Sequence, residues 1–382
     1  MQAGVAPGIE VLLADSLHLV RGKRIGLITN HSGRDRRGTS TIDLLYHAPG
    51  VRLTALFGPE HGLRGVAQAG AAISTTTDSA TGVPIYSLYG QINAPTAEML
   101  RDVDVLLYDI QDVGARVYTY EWTMALSAEA AGKLGKKFIV LDRPDPIRGD
   151  RVEGNILEER FRSFVGQYPV ALRYGLTAGE LLRYLVGTGQ VNADIAVVPM
   201  RGWRRSMWWE ETGIPWVNPS PNLRSVDATA LYPGTVFFEG TNATEGRGTD
   251  KPFQLIGAEW LSDAGAIARE MNAMALPGVR FDSTSRTIES GFKFGGKTIP
   301  MIELTVTDRN ALRAVDVGVR LLRTIYVHHR AEWQWRPTIE RLAGTDELRA
   351  AVEQGTIDAL LTKWSREAGE FQERSRKFWI YQ

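Results

Sequence analysis

Short apolar runs alternate along this chain with segments of helical periodicity. Residues 8–19 place Ile9, Leu12, Leu13 and Leu17 on one side of a short helix. An apolar run at 24–30 comes next, then a helix at 39–46 with Ser40 or Thr41 as its N-cap. Further strands are predicted at 51–57, 103–110, 137–141 and 194–198. Helices are predicted at 95–101, 118–134 and 177–186, the last opened by a capping box of Thr177 and Glu180. The strands are continuously apolar rather than alternating, so both faces of their sheet are covered. This order predicts a wound, mainly parallel α/β sheet.

The texture changes near residue 200. Trp203, Trp208, Trp209 and Trp216 cluster with Arg201, Arg204 and Arg205 in a stretch too irregular for a regular element. Either this loop stacks on a ligand or tryptophan packing pins it. A polar, Gly-containing loop at 239–250 follows, of a length that often carries function. Then come a helix at 257–274, a strand at 298–307, a helix at 311–327 and two short helices within 345–369. The expected division is an α/β domain at 1–200 and a smaller α+β domain at 201–382.

At 382 residues the chain is long enough for two cores. Lys plus Arg number 44 and Asp plus Glu number 44, so there is no basic excess to suit a nucleic acid. No apolar stretch is long enough to span a bilayer. The N-terminus lacks a signal pattern, which points to the cytoplasm, or to an extracytoplasmic protein whose signal peptide was removed. Cysteine is absent, which excludes disulfides, thiolate metal sites and a Cys nucleophile. No dinucleotide fingerprint or Walker A sequence is present, so no nucleotide cofactor is expected. The pair His328-His329 ends a helix and reads as favourable charge there, not as metal ligands.

Candidate chemistry gathers just past the predicted strand ends. Asn30 and His31, Glu60 and His61, Asp109 with Gln111 and Asp112, and Asp142 with Arg143 all occupy such positions. Ligands of open α/β sheets bind beyond the carboxyl ends of the strands. In Phe57-Gly58-Pro59-Glu60-His61-Gly62-Leu63-Arg64-Gly65, Gly and Pro can hold a Glu–His pair in a fixed pose. A partly buried carboxylate there suits general acid catalysis. The alternative is a tight turn in which Glu60 caps a helix. Glu239, Glu245 and Asp250 are further acids in the later loop, where Arg247 could hold a carboxylate. Asp109 and Asp112 offer oxygen ligands to a divalent cation, a minor reading beside the expectation of no metal.

These residues carry a family resemblance. The Glu60 segment resembles the signature of the DUF1343 family, associated with exo-β-N-acetylmuramidases of the NamZ type. Tyr108-Asp109-Ile110-Gln111-Asp112-Val113-Gly114-Ala115-Arg116, Leu141-Asp142-Arg143-Pro144, Pro219-Ser220-Pro221-Asn222, Glu239-Gly240-Thr241-Asn242 and Arg247-Gly248-Thr249 match in the same order. Asp145 departs from the pattern, standing where Asn is expected. The resemblance implies a Rossmann-like domain joined to a smaller one, with the active site in the cleft between them. It also implies release of terminal N-acetylmuramic acid from peptidoglycan-derived disaccharides or glycan chain ends. Candidate catalytic residues are then Glu60, His61, Asp112 and Glu245. Candidate substrate-binding residues are Asn30, Arg64, Asp109, Gln111, Arg116, Asp142, Arg143, Asn222, Asn242 and Arg247. A non-catalytic protein that binds sugars or wall fragments is the alternative function, since two domains about a cleft describe that class too.

Overall fold

The computed structural model describes residues 4–60, 62–63 and 76–382; His61 and Arg64 lie outside the described residues. After α1 (Gly8–Asp15) the chain forms β1 (Arg24–Thr29), α2 (Thr41–Tyr46), β2 (Arg52–Gly58), β3 (Thr76–Thr77), β4 (Pro84–Ser87) and β5 (Val105–Asp109). It continues through α3 (Tyr120–Lys133), β6 (Lys137–Leu141), the hairpin pair β7 (Glu153–Ile156) and β8 (Ala171–Arg173), α4 (Ala178–Gly187) and β9 (Ile195–Val198). Among the described residues the main sheet has the order β3-β4-β2-β1-β5-β6-β9. It is parallel except where β3 meets β4. Alternate residues enter two separate cores. Ile28, Phe57, Leu106, Tyr108, Phe138 and Val140 point to one face. Ile25, Leu27, Leu56, Leu107, Ile139 and Leu141 point to the other. Double coverage explains the unbroken apolar runs.

The rest is mixed. It comprises α5 (Val226–Thr235), β10 (Leu255–Gly257), α6 (Ala264–Ala273), β11 (Val279–Thr287), β12 (Thr298–Val306), α7 (Ala314–His328), α8 (Ile339–Ala343), α9 (Glu347–Gln354) and α10 (Ile357–Ser375). The antiparallel order β10-β12-β11 forms a small sheet. Between the two parts, the 203–222 stretch is pinned by packing. Trp203 meets Tyr381 edge-on, Trp209 meets Trp216 edge-on, and Trp208 donates to Asn310. The Val5 N–H donates to the Thr212 carbonyl and ties this stretch to the N-terminal segment.

Several expected elements differ. Residues 95–101 form turns, with Leu100 bonded to Thr96 and Arg101 to Glu98, because so short a segment does not recover the cost of helix nucleation. The helix expected at 257–274 begins at Ala264, since Leu255–Gly257 pair with β12. The final helix runs for 19 residues rather than forming a short piece. Strand β11 escaped notice because only Val279 and Phe281 in it are buried.

The polar groups at the strand ends become a buried framework. Asp109 pairs with Arg143 at 2.5 Å and accepts from the Thr41 hydroxyl. Asp142 accepts from Thr177 and from the Gly179 N–H, so it anchors the start of α4, and also takes the Tyr381 hydroxyl. Gln111 donates to the carbonyls of Asp112 and Pro144. Asp112 accepts from the Tyr174 hydroxyl and the Gly114 N–H, and burial pushes its carboxyl up to about 6. Arg116 is fully buried and donates to the carbonyls of Asn155, Val170 and Ala343. The C-terminal tail is latched by Glu180, whose carboxylate takes Arg205 at 2.6 Å and the Ile380 N–H at 2.8 Å.

Asp145 shows how an aspartate fits where the resemblance leads one to expect Asn. One carboxyl oxygen accepts from the Ile147 N–H, and the other has no hydrogen-bond partner among the described residues. Burial, opposed by Arg173 and reinforced by Asp112, pushes this carboxyl up to about 8. A neutral Asp carboxyl has nearly the shape of an Asn amide.

Two outcomes follow from this framework. Native Asp145 keeps a proton that the unfolded chain releases near its ordinary value. Its contribution to stability is therefore full below that value and is lost as pH climbs toward about 8. Asp145→Asn should unfold at a higher temperature than the parent, by a margin that widens from pH 5 to pH 8; a constant margin contradicts this. Arg116→Met strips three buried carbonyls of their donor, at roughly 1–3 kcal/mol each before relaxation. Denaturant titration should show a loss of roughly 3–5 kcal/mol.

Candidate active site

Strand β2 delivers Glu60 to the carboxyl edge of the sheet. The chain turns at Pro59, whose carbonyl accepts from the Gly62 N–H, and Gly62 adopts φ of 70°. That left-handed conformation favours glycine. Glu60 is half-buried, and one of its carboxylate oxygens accepts from the Thr119 hydroxyl at 2.7 Å. Its partner is thus a side chain at the start of α3. One oxygen is fixed in direction while the side chain keeps an exposed surface.

Aromatic rings connect this carboxylate to the second part of the chain. Tyr118 and Tyr120 flank Thr119 and meet edge-on at 4.7 Å. The Tyr120 hydroxyl donates to the Pro219 carbonyl at 3.3 Å, which draws the Pro-Ser-Pro-Asn segment over α3. His31 Nε2 lies 2.6 Å from the Asn218 carbonyl on the same loop. Tyr118 meets Tyr232 at 6.4 Å, and Tyr232 meets Phe253 at 4.8 Å. Burial, then the charge of Glu239 and also that of Glu60, hold the Tyr232 phenol well above its ordinary value.

The far side is a charged cluster. The Arg247 guanidinium lies over Phe253 and binds Glu239 at 2.9 Å and Glu245 at 2.6 Å. Burial raises the Glu239 carboxyl against the opposing pull of Arg247. Lys293 donates to the carbonyls of Thr241 and Ala243, and burial pushes its ammonium down to about 8.

The structure therefore brings Glu60, Asn30, Glu245 and Arg247 toward one region and leaves several of the other described candidates in the framework. Asn30 accepts from the Ser32 N–H and hydroxyl and interacts with the Tyr120 hydroxyl. Asp109, Gln111, Asp112, Arg116, Asp142 and Arg143 are buried in the framework with partners inside the protein. Asp109 and Asp112 bind different partners, Arg143 and Tyr174, instead of facing a shared ligand. Asn242 ties the loop to the Glu332 carbonyl and the Gln334 N–H. Asn222 is half-buried on the Pro-Ser-Pro-Asn loop. His328 and His329 pair with Asp263, and His328 also with Glu270. Thr119, Tyr118, Tyr120, Tyr232 and Lys293 were not singled out beforehand. The Tyr-Thr-Tyr spacing ahead of α3 was the available signal for three of them.

The family described as exo-beta-N-acetylmuramidase NamZ, N-terminal, matches residues 25–227, and its C-terminal counterpart matches residues 230–381. The peptidoglycan beta-N-acetylmuramidase NamZ of Bacillus subtilis (strain 168) is 43% identical over 380 residues, covering 99% of this chain and 91% of the relative. Two crystal structures of DUF1343 family proteins from Bacteroides fragilis NCTC 9343 superpose with TM-scores of 0.92 and 0.80, at 34% and 28% identity. The first covers all of both chains; the second covers all of this chain and 99% of the other. Matched from the first strand of its sheet to its C-terminal tail, the chain belongs to the NamZ family of exo-β-N-acetylmuramidases, which are glycoside hydrolases.

Proposed function

We propose that this protein removes terminal, non-reducing N-acetylmuramic acid from peptidoglycan-derived disaccharides or glycan chain ends, with Glu60 as the general acid. The observation that carries the reading is the pose of Glu60. It is the strand-end acid that stays half-exposed, is oriented through one oxygen by Thr119, and has the Arg247 cluster beyond an aromatic wall. In the reaction the glycosidic oxygen gains electron density as its bond to the anomeric carbon lengthens. A proton from Glu60 neutralises that charge and lets the leaving sugar depart. The buried rings of Tyr118 and Tyr120 keep water from surrounding the acid, which strengthens electrostatic effects there.

Muramic acid also carries a lactyl carboxylate, which needs a cation or N–H donors in the pocket. Arg116 and Arg143 are committed to the framework, and both terminal nitrogens of Arg247 are held by glutamates. Arg64, four residues after Glu60 in sequence, is the remaining motif arginine assigned to this role.

A chromogenic N-acetylmuramide assayed beside the matching N-acetylglucosaminide tests the reading. Glu60→Gln should lower the turnover number by about a hundred- to ten-thousandfold with the fold intact. Turnover near that of the parent in a folded variant would sink the assignment and favour a binding protein. Arg64→Met should shrink the preference for the muramide, since loss of one partner of a buried charged pair costs roughly 3–5 kcal/mol. Folded Arg116→Met should keep that preference.

A further inference from the structure

We infer that Glu239 is the second catalytic carboxylate, the base that activates water against the anomeric carbon. This rests on the muramidase reading above and goes beyond it by naming the group opposite Glu60. Arg247 holds two glutamates, and their surroundings differ. The Glu245 side chain is 6% exposed, whereas that of Glu239 is 26% exposed, so Glu239 is the one that water and substrate can reach. Tyr232 packs edge-on against Tyr118, the neighbour of the Thr119 that holds Glu60, and against Phe253, over which lies the Arg247 that holds Glu239. A short run of packed rings therefore connects the two acids, which come from different parts of the chain.

The position of Glu239 is rigid. Glu239 lies within a short helical turn at Val236–Gly240. A Cβ on Gly240 would approach Ile339 of α8 to 2.7 Å, so the backbone there is packed directly on that helix. The Gly240 carbonyl accepts from the Arg336 N–H, and the Thr241 N–H donates to the Phe238 carbonyl. Arg247 Nη2 binds one carboxylate oxygen of Glu239 and favours its ionised, basic form.

The step balances as follows. The bond from the anomeric carbon to the glycosidic oxygen breaks, and that oxygen takes the proton of Glu60. The oxygen of one water bonds to the anomeric carbon, and Glu239 takes a proton from that water. One water is consumed, and solvent exchange returns a proton to Glu60 and removes one from Glu239. A single displacement of this kind converts a β-linkage into an α-configured first product.

The test uses the full chain and an N-acetylmuramide with a good leaving group. Glu239→Ala keeps Arg247 paired with Glu245, so no buried guanidinium is orphaned; Glu239→Gln, closer in shape, is assayed beside it. Turnover should fall by about a hundred- to ten-thousandfold in both. Azide should restore the alanine variant by entering the vacated space, and the released glycosyl azide should have the α configuration. The first product of the parent enzyme, followed by NMR, should also be α. Turnover within about tenfold of the parent, failure of azide to rescue a folded alanine variant, or a β first product each overturns the assignment. If Glu239→Ala does not fold, full turnover in Glu239→Gln overturns it equally. A parent that hydrolyses the muramide and loses turnover in Glu60→Gln, but not in the Glu239 variants, refutes this inference alone. A parent that cannot hydrolyse the muramide refutes the enzymatic reading and this inference with it.

Discussion

The guanidinium of Arg116 holds together the segments that carry the site. Its Nη2 donates to the carbonyl of Ala343, the last residue of α8. Its own carbonyl accepts from the Trp122 indole, and its N–H donates to the Leu172 carbonyl. Three residues onward, Thr119 fixes Glu60. At the other end of the same connection, Ile339 of α8 packs on Gly240, the neighbour of Glu239. One buried side chain therefore links the two acid-bearing segments. Burial lowers the Arg116 pKa to about 9, a sign of how strongly the surrounding medium opposes a charge. The arginine persists there because backbone carbonyls take the place of water around it.

The same desolvation logic separates framework from chemistry at the sheet edge. A carboxylate taken wholly from water must find a strong partner or stay neutral. Asp109 takes the first course through Arg143, and Asp145 the second. Glu60 is not taken wholly from water: a neutral hydroxyl holds one oxygen and part of its surface stays open. Such an arrangement orients an acid without consuming it. In the charged cluster, a single cation, Arg247, spans a more buried glutamate and a more open one.

Much of the first domain was legible in the chain. Unbroken apolar runs imply double coverage, and β6 occupies its expected span, while the capping box of Thr177 and Glu180 starts α4 as expected. Parallel strands covered on both faces must end together, so the polar residues that follow them were bound to converge. Glu60 stood out because Gly and Pro around it restrict the backbone locally, and local restriction is visible in sequence.

What the polar residues do after converging was decided by tertiary structure. Asp112, Arg116 and Arg143 have the residue types of a binding site, yet their partners are 62, 39 and 34 residues away in the chain. Whether such a group meets solvent or a distant carbonyl depends on packing between segments that no local pattern encodes. Thr119 and Tyr232 were overlooked for the converse reason. Neither type suggests chemistry alone, and each gains its place only when a helix terminus or a second domain brings it beside a carboxylate. Thus periodicity and turn chemistry determined where the sheet ends and where Glu60 turns. Burial, which sums over the whole fold, determined which of the assembled charges remained open.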